Sequence, residues 1–192
     1  MRDLIHNAQY KEQIISEYKG NPFIEALPQI TSSEEVVSKL ANFPPYNKEE
    51  RQLDNQYRAH LVGRLYDVFQ PLAIHLDLES RISRVIRQGY VARNVLDKSF
   101  VSNNYRSTAG SFTLLGVSGM GKTTVVNRIL SMYPQVIVHS KYKDIPLSRY
   151  QVVYLRLECS YDGSIKGLCL SFFSKVDEIL GTDYYSRFGS GK

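Results

Sequence analysis

At 192 residues the chain is long enough to bury a sizeable core, and its 43% hydrophobic and 22% charged side chains exclude a wholly disordered or fibrous protein. No apolar run approaches the roughly 18 residues that span a bilayer, and the opening MRDLIHNAQYKEQ carries acids where a secretory signal is apolar, so a cytoplasmic protein with no membrane partner is expected. The net charge of +5 is uneven: −3 over residues 1–50, +4 over 51–110 and +4 over 111–192, a balance compatible with a polyanionic partner and also ordinary for a soluble domain.

Three regions follow from the patterning: an N-terminal arm (1–47), a helical segment (48–95) and the N-terminal part of a catalytic-type core (96–192). In the arm, residues 8–18 have helical spacing. GNPFIEALPQI then reads as an extended, docked segment around Phe23, Ile24 and Leu27. Thr31 and Ser32, followed by Glu34 and Glu35, form an N-cap and acidic first turn for a short helix through Leu40, which NFPPY ends.

From about Lys48, Leu53, Tyr57, Leu61, Leu65 and Phe69 recur every four residues, predicting one helix up to Pro71. A second, antiparallel to it, is predicted from Leu72 to Gln88, with Leu78, Ile82, Val85 and Ile86 inward and Gly89 closing it. Arg81, Arg84 and Arg87 recur every three residues on another side and, with Arg93, form a basic face. Such a face is either merely solvated or meets a polyanion.

After the polar VSNNYRSTAGS, Ser111–Gly116 (SFTLLG) reads as a strand and Lys122 to about Tyr133 as a helix with Val125, Val126, Ile129 and Leu130 inward. Gln135–His139 and Val152–Leu157 are strand candidates, and Ser164–Leu180 an amphipathic helix. The order predicts an α/β fold, a parallel sheet flanked by helices. Cys159 and Cys169 have no CxxC partner and no histidine at ligand spacing, and are expected as reduced, mostly buried thiols.

Between that strand and helix lies GVSGMGKT, a full match to G-x-x-x-x-G-K-[ST]. Gly116, Gly119 and Gly121 lack a Cβ, so the backbone can wrap a phosphate with its N–H groups inward. The following helix adds its N-terminal N–H groups and dipole. The expected nucleotide site is Gly116, Val117, Ser118, Gly119, Met120, Gly121, Lys122, Thr123 and Thr124, with ATP and Mg²⁺ as cofactors. Lys122 reaches the β- and γ-phosphates, Thr123 offers its hydroxyl to Mg²⁺, and Thr124 faces an α-phosphate oxygen. The competing readings are a glycine-rich turn between strand and helix that matches by accident, and a kinase-type loop, which lies between two strands with its lysine elsewhere.

Hydrolysis also needs an acidic metal-site residue at a strand end. Asp177-Glu178 is the one Asp-Glu pair after the loop, but Leu168, Phe172, Val176 and Ile179 repeat with helical spacing, which puts the pair on a helix face. Glu158 would act at most indirectly, and Arg156 with Glu158 reads as the exposed side of a strand. The closing FGSGK reads as an exposed tail. With 76 residues after Gly116, the chain is expected to be the N-terminal part of a longer ATPase, and no catalytic residue is assigned.

The chain resembles the TnsC/TniB-type AAA+ ATPases of bacterial transposition modules. The resemblance rests on YKGNPFIEALPQI (18–30), FPPYNKEERQL (43–53), FQPLAIHLDLESRISRVIRQGYVARN (69–94), GVSGMGKTTVVNRIL (116–130), YPQVIVHSKY (133–142) and residues 154–185. It implies ATP-dependent assembly on duplex DNA as a homo-oligomeric ring or filament that links target-selection proteins to the transposase. It also implies that IRQGYVARN lies on the adenine side, and that the acidic strand, sensor, arginine finger and lid lie beyond Lys192, so that this chain alone hydrolyses little ATP. Two other readings stand beside it: a STAND-type signalling or defence switch that recruits proteins without DNA, and an inactive remnant that binds a partner through the acidic arm.

Overall fold

The computed structural model describes residues 5–91, 93–96 and 110–189. It comprises two compact units, Lys11–Tyr133 and Met1–Tyr10 with Pro134–Lys192. Ala92, most of the polar stretch before the phosphate loop, and residues 190–192 of the expected tail lie outside the described residues.

The Lys11–Tyr133 unit is helical. Residues 8–18 do not form the helix their spacing predicts; only a 3-10 turn, Ser16–Tyr18, appears. GNPFIEALP contains a short helix α1 (Pro22–Glu25), capped by Asn21, whose side chain accepts from Phe23 N, with Pro22 in the first turn. Its docked character holds, with Ile24 and Leu27 fully buried. α2 (Ser33–Leu40) starts at Ser32, whose hydroxyl accepts from Glu35 N, and buries Val36 and Leu40.

Where one long helix is predicted after Lys48, the chain breaks into a 3-10 turn (Lys48–Gln52), α3 (Asn55–Leu61) and a second 3-10 turn (Val62–Asp67). Leu53, Tyr57 and Leu65 stay exposed, so no buried stripe rewards a continuous helix. Asn42 and Phe69 then bridge in antiparallel fashion. α4 (Ala73–Val91) and α5 (Lys122–Leu130) close the core: Val36 and Leu40 meet Leu78 and Ile82 of α4 and Val125 and Ile129 of α5.

The second unit carries a three-stranded sheet in the order β1 (Ile5–Asn7), β2 (Val136–Tyr142), β3 (Ile145–Val152). β1 is parallel to β2, but β3 is antiparallel, so the sheet is mixed rather than all-parallel. The strand expected at Val152–Leu157 is displaced: β3 ends at Val152 because β2 turns straight back through Lys143 and Asp144. Lys143 takes φ +52 there, the positive φ that a two-residue hairpin demands at its first central position, without the glycine or asparagine that signals such a turn.

Beneath the hairpin, the buried His139 joins two partners: Tyr10 Oη and His139 Nδ1 lie 2.8 Å apart, as do His139 Nε2 and Gln151 Oε1. Gln151 Oε1 can only accept, so Nε2 carries the proton and Nδ1 accepts from Tyr10. Burial holds the His139 pKa below its usual value, against the opposing bond from Gln151.

α6 (Ile165–Leu180) is capped by Ser164, which accepts from Gly167 N, and closed by Gly181 at φ +65. α7 (Tyr184–Phe188) follows.

Candidate nucleotide-binding site

The loop is approached through residues 110–116. A Cβ on Gly110 would sit 3.6 Å from Gln88 Oε1, so this run passes against α4. Ser111–Gly116 is not the predicted strand: among the described residues it has no ladder partner, and only Leu114 packs on the core while Leu115 is 86% exposed. Apolar content makes a segment fit for a sheet, but neighbouring strands must take up its N–H and C=O groups.

The chain then turns through Gly119 at φ +83 and Gly121 at φ +78, conformations that cost glycine little and other residues much. Gly121 is the N-cap of α5, and no side chain caps that helix. The first-turn N–H groups of α5 are therefore left for an anion, with the positive end of the helix dipole behind them.

Lys122 Nζ donates to the carbonyl oxygens of Gly116 and Val117, each at 2.8 Å. A side chain on Gly116 would touch this lysine: its Cβ would lie 3.5 Å from Lys122 Cδ and 3.4 Å from Met120 Sδ. Ser118, Thr123 and Thr124 are exposed, and Val117 and Met120 form an apolar outer rim, 75% and 69% exposed. All nine expected site residues thus share one loop and the first turn of α5. The motif points to every one of them; the lysine's two carbonyl partners it does not show.

How the loop's helix is held is likewise absent from the motif. Val125 and Ile129 are buried in the core. Beside them, the Arg128 guanidinium lies 4.6 Å over the Phe69 ring and donates to Asp67 O, fastening α5 to the chain before α4. Tyr133 Oη donates to Glu79 Oε1 at 3.4 Å. Burial raises the Glu79 pKa, against the opposing influence of Tyr133, Arg87 and Lys39.

The segments that carried the family resemblance also meet. Asn21 Nδ2 donates to Tyr90 O at 2.8 Å, and the Phe23 and Tyr90 rings lie 5.7 Å apart. Arg87 donates to Pro28 O and to Ser83. That corrects the basic face: Arg87 is 1% exposed and serves the interior, with its Nε unbonded, whereas Arg81, paired with Asp77, Arg84 and Arg93 stay at the surface.

Asp177 and Glu178 lie on α6, as the spacing predicts. Asp177 accepts from Thr182 Oγ1, Tyr184 N and Tyr185 N, tying α6 to α7, and Glu178 pairs with Lys175. Glu158 and Arg156 are exposed, but beyond the end of β3 rather than on a strand. Cys159 and Cys169 are exposed thiols, not buried ones. Among the described residues no group of three His, Cys, Asp or Glu side chains is placed to hold a metal ion.

Residues 105–187 match an AAA domain. The match takes in the phosphate loop, β2, β3 and α6 and leaves the arm and α4 outside it. The fold class is α/β of the P-loop NTPase kind, and the match to an AAA domain suggests nucleotide binding. No curated protein matches the chain. No helix among the described residues is long and apolar enough to cross a membrane.

The residues present fit such a nucleotide. The uncapped helix end and the positive-φ glycines form a cradle for phosphate oxygens. Lys122 already points its ammonium along the loop, where two carbonyls hold it, and a phosphate would replace one neutral acceptor by a charged one. Mg²⁺ supplies charge neutralisation on the phosphates when bound, and Thr123 is the side chain to meet it.

Proposed function

We propose that the chain is an ATP-binding AAA+ regulator of DNA transposition. In this reading ATP and Mg²⁺ occupy Gly116–Thr124, copies assemble on duplex DNA as a ring or filament, and the assembly links target selection to the transposase. The observation that carries the nucleotide part is the loop itself: Lys122 lies across a glycine-shaped turn at the uncapped start of α5, inside the segment that matches an AAA domain. The transposition part rests on the sequence resemblance of 18–30 and 69–94. The contact of Asn21 and Phe23 with Tyr90 supports it by giving those two segments a common place.

The test has two stages. A fluorescent ATP analogue should bind the wild-type chain, and Lys122→Ala should lose on the order of 1.5–3 kcal/mol of that affinity, the value of a charge-assisted hydrogen bond. Duplex DNA should then be retained only when a non-hydrolysable ATP analogue is present. Binding of the analogue without any effect on DNA would leave an AAA+ nucleotide switch and remove the DNA function.

A further inference from the structure

The predicted long helix after Lys48 fails to form, and what replaces it is a groove. The two 3-10 turns and α3 enclose a cavity of about 710 Å³ whose walls include Tyr46, Leu61, Val62 and Leu65, with Arg51 and Arg58 at the same lining. Tyr46 and Leu65 are 74% and 68% exposed, so the groove presents uncovered apolar surface of the kind that marks an interaction site.

The charge is one-sided. Arg64 in the lining is held by Glu50 in a two-pronged pair. Arg58 is bonded only to the neutral Asn55, and neither Arg51 nor Arg58 is in an ion pair among the described residues. A groove with apolar walls and two unneutralised guanidiniums suits an acidic segment with apolar anchors. It suits nucleic acid poorly, because phosphates would give up water against leucine and valine.

The same unit displays such a segment on α2. With about 100° per residue, Glu34, Glu35 and Ser38 fall on the side away from the buried Val36 and Leu40, with Val37 on its flank. Glu34 and Glu35 are exposed, and Ile30 and Val37 beside them are exposed apolar residues. Lys39, exposed at the edge of this face four residues on from Glu35, is in no ion pair with either glutamate among the described residues. No residue of α2 lines the groove.

We propose that the groove receives the acidic outer face of α2 from a second copy of this chain. Because the two surfaces differ, the contact is head-to-tail, and repetition gives a ring if the rotation closes and a filament if it does not. The proposal shares with the function above only the self-assembly of the chain, and names a surface for it that does not involve the phosphate loop.

Sedimentation of the full chain, with and without an ATP analogue, tests it through charge reversal. Wild type should associate with rising concentration, less so at high salt. Arg51→Glu/Arg58→Glu and Glu34→Arg/Glu35→Arg should each weaken association by at least about tenfold, since like charges then face each other. Mixing the two variants restores opposite charges where groove and helix of the two meet, so the equimolar mixture should regain association, which a misfolded variant could not do. Leu65→Asp, at an exposed side chain, should weaken wild-type association without loss of helical circular dichroism.

A wild type that stays monomeric at all concentrations would give the groove to another occupant and overturn the proposal. Reversal variants that associate normally, or a mixture that fails to recover, would overturn it equally. Affinity for the fluorescent ATP analogue should be unchanged in all three variants, so failure here is separable from failure of the nucleotide site.

Discussion

Lys122 and His139 show how far a single side chain's role depends on what it already touches. In Lys122 the ammonium is held by Gly116 and Val117 carbonyls, so a phosphate arrives at a donor already in place, and Thr123 sits one residue on in the same turn. Thr123→Ala should therefore reduce affinity for the ATP analogue when Mg²⁺ is present and change it little in EDTA, in paired titrations; equal losses in both would deny Thr123 its metal role. His139 works the other way, as a neutral ring between a donor and an acceptor. Its folded pKa is depressed, so its contribution is complete above the unfolded value of about 6.5 and is lost as pH falls through the depressed folded value. Urea melts should thus show stability declining below about pH 6.5, and His139→Gln should flatten that part of the profile. Arg87 carries the complementary lesson, since its period-three spacing matched its exposed neighbours while its guanidinium went to Ser83 and Pro28.

Between residues and the whole chain stand the elements, and two of them hold consequences that can be measured. α5 presents the phosphate loop because Val125 and Ile129 pack it against α2 and α4, with Arg128 holding it beside them. Ile129→Ala should cost about 2–5 kcal/mol in a urea melt, as a fully buried aliphatic truncation does. It should also weaken nucleotide binding, although Ile129 lies outside the phosphate loop. α6 and α7 are joined by Asp177, which gathers three donors. Burial works against its charge, but the bonds from Thr182, Tyr185 and Tyr184 outweigh it and hold its pKa below the usual aspartate value. That junction should consequently persist until pH falls through the depressed pKa. Asp177→Ala should speed hydrogen exchange at the Tyr184 and Tyr185 amides and leave Mg²⁺-dependent nucleotide affinity untouched. Loss of that affinity would return Asp177 to the metal site it resembles in sequence.

For the whole molecule the open question is the polyanion. The basic face is smaller than the spacing suggested, because Arg87 is withdrawn and Arg81 is shared with Asp77. The DNA proposal therefore rests on Arg81, Arg84 and Arg93. With a non-hydrolysable ATP analogue present, Arg81→Ala/Arg84→Ala/Arg93→Ala should lower the log–log salt slope of duplex binding by roughly 0.9 for each phosphate that is no longer neutralised, with no dependence on DNA sequence. An unchanged slope and affinity would return these arginines to a solvated surface.

Features whose cause is local were legible in the residues themselves. GVSGMGKT specifies its turn because Gly119 and Gly121 reach positive φ without strain, and Ser32 and Ser164 specify helix starts because their hydroxyls take up first-turn N–H groups. The helical period was enough to place Asp177 and Glu178 on α6. Features that needed a distant partner were settled by the folded chain. Ser111–Gly116 remained out of the sheet because a strand is made by its neighbours. β3 was drawn back to Ile145 by pairing with β2, and the stripe Leu53–Leu65 lost its long helix because Leu53, Tyr57 and Leu65 are left exposed among the described residues. Whether a side chain faces the core is set by which other surface reaches it: spacing placed Leu78, Ile82, Val125 and Ile129 inward, but it did not separate Arg87 from its exposed neighbours.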